Sequence, residues 1–262
     1  ICITWRKRLS LTKYLHQVRP REESYVNHVD RIQDLLIESK NKGFAYELEI
    51  YQTLKSANLT PPNFSPPRPG GHGPDGMFMF HGIPYSLEIK LNLKADLPQG
   101  ALKYSNGYWS LSSTNTDAAL EMKETLIGIG AEQFVNDKWS KHGAPNKGTV
   151  PLRDFTPQHV SDDYKRFKDE FLPVPAKIFH DYYGRKGVYY MQIGGYGLYY
   201  MQSNPAKLPI PQFNPTMRLR IRVKRGGSKP IYNYRFSTAL QITDKPKKSK
   251  HDLTKDLDFL RK

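Results

Sequence analysis

The chain has 262 residues, 38% of them hydrophobic, which is enough to bury a core in one or two domains, and its formal net charge of +15 suits a polyanionic partner. A single cysteine, Cys2, excludes an internal disulfide framework and a cysteine-based zinc site. No apolar run approaches the ~20 residues of a membrane-spanning helix. The opening Ile-Cys-Ile-Thr-Trp-Arg-Lys-Arg lacks the apolar stretch of a secretion signal. An intracellular location, cytoplasmic or nucleoid-associated and away from membrane, is therefore expected.

Residues 1–41 read as an N-terminal helical region, with Val29, Ile32, Leu35 and Leu36 at helical spacing. A second helix is predicted over 42–55. From Glu47, the positions three, four and seven onward are Ile50, Tyr51 and Leu54, whereas from Glu49 they are Gln52, Thr53 and Ser56. Glu47 thus faces the interior and Glu49 water, and a carboxylate on an apolar face needs a compensating partner, either a cation or a core lysine. A loop rich in proline and glycine follows over 59–73 and carries His72.

The next segment, from Gly73-Pro74-Asp75-Gly76 to Leu87-Glu88-Ile89-Lys90, reads as a β-hairpin turning at His81-Gly82. Side chains alternate along a strand, so Glu88 and Lys90 share one face and Leu87 and Ile89 the other. Two carboxylates and an ammonium gathered on otherwise apolar strands cost free energy unless a cation or substrate compensates them. Oxygen donors of this kind suit Mg²⁺ or Mn²⁺.

Beyond Lys90 the stretch 91–107 reads as irregular, Tyr108-Trp109-Ser110-Leu111 as a strand, and 117–142 as one or two helices with an apolar stripe of Ala119, Met122, Leu126 and Ile129. A short helix is expected over 161–172, with Tyr164, Phe167 and Phe171 on one face. Two hairpins are predicted near the C-terminus, 188–202 and 216–242, together forming an antiparallel sheet.

The stretch 203–250 contains twelve Lys or Arg against the single acid Asp244, most of the chain's excess charge. Within it Arg218, Arg220, Arg222 and Lys224 alternate with Leu219, Ile221 and Val223. Four cations about 6.7 Å apart make a row able to follow a phosphate backbone; protection of an edge strand is the other explanation. Lys247 and Lys248, in a basic tail, are further candidate phosphate contacts. The histidines have no zinc-protease spacing, and neither a Gly-x-Ser-x-Gly nor a Walker loop is present.

Pro74-Asp75, a gap of thirteen positions from Asp75, and then Glu88-Ile89-Lys90, preceded by the helix of Glu47, resembles the PD-(D/E)XK nuclease superfamily. That resemblance implies an α/β (α+β) fold with a restriction-endonuclease-like core, a central mixed sheet flanked by helices, over 42–175. A basic β-rich region over 176–262 would form a separate domain or extend that core. It implies a metal-dependent DNA endonuclease in which Asp75, Glu88 and Glu47 hold Mg²⁺ or Mn²⁺ and Lys90 supplies positive charge at the scissile phosphate. DNA is the expected partner, and a homodimer is compatible with the class. The alternatives are a non-catalytic nucleic-acid-binding protein and a ribonuclease of the same fold.

Overall fold

The computed structural model describes residues 42–66, 73–95, 97, 99–112, 117–224 and 235–261. The helical region expected over 1–41, and His72, lie outside these. By contact density the chain divides into residues 1–45 and 46–262. Of the first unit only residues 42–45 are described, as the opening of helix α1 (Lys42–Ser56). Everything else belongs to the second.

The second unit is mixed α/β and carries two sheets. The first, mixed sheet has the order β1 (Gly76–Phe80), β2 (Ile83–Lys90), β6 (Val188–Ile193), β7 (Gly197–Tyr200). Strands β1 and β2 pair antiparallel from Phe80 with Ile83 to Gly76 with Leu87. Both turn residues between them have positive φ, His81 at 49° and Gly82 at 75°, which is the primed turn that matches strand twist. β2 then pairs parallel with β6, setting Glu88 beside Met191 and Lys90 beside Ile193. Parallel pairing requires a crossover, and helix α6 (Ala176–Arg185) lies in it.

The second sheet is antiparallel, in the order β4 (Tyr108–Leu111), β3 (Gln99–Ser105), β9 (Arg235–Ile242), β8 (Met217–Lys224), β5 (Phe171–Val174). The hairpins 188–202 and 216–242 both form, but they do not share a sheet as expected. β6 is almost wholly buried, so it suits an interior parallel position, whereas β8 alternates and keeps one polar face. Both sheets draw strands from either side of residue 175. The C-terminal strands therefore extend the body of the unit.

Three helices, α2 (Asp117–Gly128), α3 (Ala131–His142) and the one-turn α4 (Asn146–Thr149), follow the second hairpin of the chain. Gly130, at φ 75°, separates α2 from α3 and so resolves 117–142 into two helices. Helix α5 spans Pro157–Phe167, four residues earlier than expected, because Thr156 and His159 form a capping box with proline at its first position. Phe171 and Leu172, expected at the end of that helix, instead open strand β5 (Phe171–Val174); Pro173 is tolerated because β5 is an edge.

Two apolar clusters hold the unit together. One, around Ile50, Leu54, Phe78, Leu87, Ile89, Tyr190 and Leu253, covers one face of the mixed sheet. The other, with Trp109, Trp139, Phe167, Phe179, Met191, Leu219 and Phe236, joins that sheet's opposite face to the antiparallel sheet. Among the described residues no helix is long and apolar enough to cross a membrane.

Candidate active site

Asp75 stands just before β1, and one step beyond the Gly76–Leu87 pair it faces Glu88 across the open end of the hairpin. Leu87 and Ile89 turn into the apolar cluster that includes Ile50 and Phe78, which leaves Glu88 and Lys90 on the other face of β2. Lys90 Nζ reaches both acids, 3.1 Å from Asp75 Oδ2 and 2.5 Å from Glu88 Oε1. Asp75 Oδ2 also accepts the Ile89 N–H at 3.0 Å. Glu88 is only 6% exposed, and its Oε1 accepts a hydrogen bond of 2.8 Å from the buried Tyr183 hydroxyl on α6. The end of β2 is pinned as well: Gly194 donates to the Lys90 carbonyl at 2.9 Å, and a Cβ at Gly194 would collide with the Leu91 carbonyl.

On α1, Ile50, Tyr51 and Leu54 are buried, Glu47 is half-buried and Glu49 is exposed, as the helical spacing predicts. Burial pushes the Glu47 carboxyl up to about 7, and the negative charges of Asp75 and Glu88 add to the rise against the pull of Lys90. Asp75 is raised as well, by burial and by Glu88, opposed by Lys90 and the Ile89 N–H. For Lys90 burial works against the charge, but Glu88 and Asp75 together outweigh it and hold the ammonium above its ordinary range. Tyr183 is raised far above the usual phenol by burial and by Glu88, so it stays a donor.

Glu47, Asp75, Glu88 and Lys90 are thus brought into one electrostatic cluster. Three carboxylates against one ammonium leave two negative charges in excess when all are ionised, and burial first and that excess second raise the proton affinity of Glu47 and Asp75. A divalent cation matches the donor set in charge and in oxygen chemistry. Among the described residues no group of three or more His, Cys, Asp or Glu side chains stands at metal-holding distance. Lys90 Nζ takes the space between Asp75 and Glu88, so holding a metal there requires this side chain to withdraw.

The basic row lies apart, on the antiparallel sheet. Leu219 and Ile221 are buried, while Arg218, Arg220 and Arg222 are half-buried on the opposite face. Strand β8 is interior, paired with β9 along its whole length and with β5 over Met217–Arg220, so edge protection does not explain Arg218 and Arg220. Arg218 Nε and Nη2 bond Gln241 at 3.1 and 2.9 Å, and Arg222 Nη1 bonds Gln99 at 2.6 Å. Lys224 ends the strand, and its side chain lies outside the described set. Lys247 and Lys248 are not part of this row. Their segment is fastened along the β6–β7 hairpin, the Lys247 carbonyl accepting from Tyr199 at 2.8 Å and Lys248 Nζ lying 5.7 Å from the Tyr196 ring centre.

Tyr183 was not identified from the sequence. Phe179, Tyr182 and Tyr183 fall at the spacing of one buried helical face, which is the available signal, but nothing local ties position 183 to position 88. Comparison with protein-family models, with curated proteins and with solved structures finds no match.

Proposed function

We propose that this chain is a metal-dependent nuclease that hydrolyses phosphodiester bonds within DNA. The observation that carries the proposal is the junction of Asp75 and Glu88 at Lys90 Nζ, beside a glutamate whose proton affinity is raised to about 7. The mixed sheet, and the order of helix, hairpin, Pro-Asp and Glu-x-Lys, support a restriction-endonuclease-like core. Asp75, Glu88 and Glu47 would hold Mg²⁺ or Mn²⁺, which when bound acidifies water and neutralises charge on the reacting phosphate. Tyr183 fixes the carboxylate of Glu88. Lys90, displaced from its carboxylates, presents its ammonium to the scissile phosphate, where negative charge develops. Arg218, Arg220 and Arg222 contribute phosphate contacts that position the strand without taking part in bond breaking.

A non-catalytic nucleic-acid-binding protein is the second reading, favoured by the way Lys90 already balances both carboxylates within the chain. Supercoiled plasmid and RNA, each incubated with Mg²⁺ or with chelator, separate these readings. Mg²⁺-dependent nicking of plasmid that disappears in Asp75→Asn and Glu88→Gln supports the nuclease. Cleavage confined to RNA identifies a ribonuclease, and salt-sensitive binding without cleavage of either identifies the binding protein.

A further inference from the structure

The polar face of the antiparallel sheet contains more than the row on β8. The register carries its alternation across all five strands: Arg220 pairs with Ala239 and Arg222 with Ser237 on β9, and these pair in turn with Gln99 and Ala101 on β3. Two residues further on, Lys103 shares that face and is exposed. The described positions on this face contain no Asp or Glu, while the reverse face supplies Leu102, Leu111, Leu219, Leu240 and Phe236 to the core. One side of the sheet is therefore built for the interior and the other for a polyanion.

Two large aromatic rings stand out of this face at its opposite edges. Phe171 on β5 is 50% exposed and Tyr108 on β4 is 46% exposed. Phe171 pairs across β8 with Arg220, and the guanidinium of Arg218 lies 5.2 Å from its ring centre. Gln241, which orients Arg218, is neutral, so the charge is directed without being cancelled. Four strand spacings of about 4.8 Å separate the two edges, a span that several nucleotides cover.

We infer that this face is a platform for single-stranded nucleic acid, the cations following the phosphates and Phe171 and Tyr108 each stacking on a base. A duplex offers the same phosphates but keeps its base faces inside the stack, so it would leave both rings unused. The inference deepens the nuclease proposal by naming the form of its substrate. It rests on that proposal only in treating the bound strand as what is cut.

The test is a fluorescence-anisotropy titration in chelator, where no metal-dependent cleavage occurs, using a labelled oligonucleotide of about 15 nucleotides as single-stranded DNA, as single-stranded RNA and as a DNA duplex. Either single strand should bind about tenfold more tightly than the duplex, and the two arms show which sugar is preferred. Phe171→Ala and Tyr108→Ala should each weaken single-strand binding by about 5- to 50-fold while changing duplex binding less than about twofold. Phe171→Leu keeps an apolar side chain on the edge strand and should give the same loss even if Phe171→Ala melts early. Lys103→Gln should reduce the salt dependence by about 0.7 in slope, one phosphate contact on a single strand. Duplex binding as tight as single-strand binding, or both aromatic variants binding like the parent, overturns the inference. The titration in chelator reads binding alone, and nicking of plasmid by the parent protein with Mg²⁺ reads the chemistry, so failure of the platform and failure of the nuclease reaction are distinguished.

Discussion

Burial, with the negative charge of the hairpin added to it, makes Glu47 a group whose ionisation is measurable. Its carboxyl releases its proton near 4.5 in the unfolded chain and near 7 in the folded one. Between these values the folded state holds a proton that the unfolded state has released, so this group's contribution is fully present below the lower value and is lost as pH rises through the upper. Metal-free Glu47→Gln should therefore match the parent near pH 4 and exceed it at pH 8 by about 1–3 kcal/mol, after allowance for partial exposure. Thermal melts at the two pH values in chelator check this; equal melting temperatures at pH 8 would show that neither burial nor the neighbouring carboxylates raise the proton affinity of Glu47 in the folded chain. Tyr183 acts through Glu88 and is a positioning residue. Tyr183→Phe keeps the ring and removes the bond of 2.8 Å. Single-turnover cleavage should slow by about 10- to 100-fold, the net worth of a hydrogen bond to a charged group. The Mg²⁺ concentration for half-maximal rate should rise while DNA affinity stays unchanged. Loss of packing alone would lower the melting temperature and leave the Mg²⁺ dependence where it was.

At the scale of elements, what the sequence disclosed was local. The β1–β2 hairpin, the face of α1 and the alternation of β8 follow from turn chemistry and from periods of two and 3.6, and each forms within about fifteen residues. Strand β3 was missed although its signal is equally local. Asn106-Gly107, with φ of 53° and 76°, is the same primed turn as His81-Gly82, and it joins Ser105 to Tyr108. The parallel pairing of β2 with β6 was not legible, because its partners lie about a hundred residues apart and no turn connects them. The same distance hid Tyr183. Both turns depend on glycine at positive φ, and at Gly82 an added Cβ would meet nothing within 4 Å, so the cost of a side chain there is purely conformational. Gly82→Ala should lower stability by about 1 kcal/mol, a fall of about 2–4 °C in Tm. Gly82 closes the end of the hairpin opposite Asp75, so cleavage per folded molecule should be unchanged at temperatures below the transition. A loss of activity without a loss of stability would mean that the turn itself meets the substrate.

At the scale of the molecule, the change in texture after Pro175, from helical sequence to aromatic and basic strands, suggested a boundary near residue 175. Strand pairing crosses that boundary in both sheets, with β2 on β6 and with β3 and β5 on β9 and β8. The C-terminal segment is bound in as well. Gln192, fully buried, donates to Tyr46 and Asp252 at 3.0 Å each and accepts the Leu253 N–H at 3.2 Å, and Leu253 and Phe259 complete the cluster over the mixed sheet. Fragments 42–175 and 176–262 would each expose an open row of backbone donors and acceptors and half of an apolar cluster. Neither should fold alone. Expressed separately, each should give the far-ultraviolet spectrum of a largely unfolded chain, whereas the intact protein should lose both sheets in one cooperative transition, with tryptophan fluorescence at Trp109 and Trp139 changing at the same temperature as the backbone signal. A fragment 176–262 that melts cooperatively by itself would restore the boundary at 175 and make the basic strands a separate module.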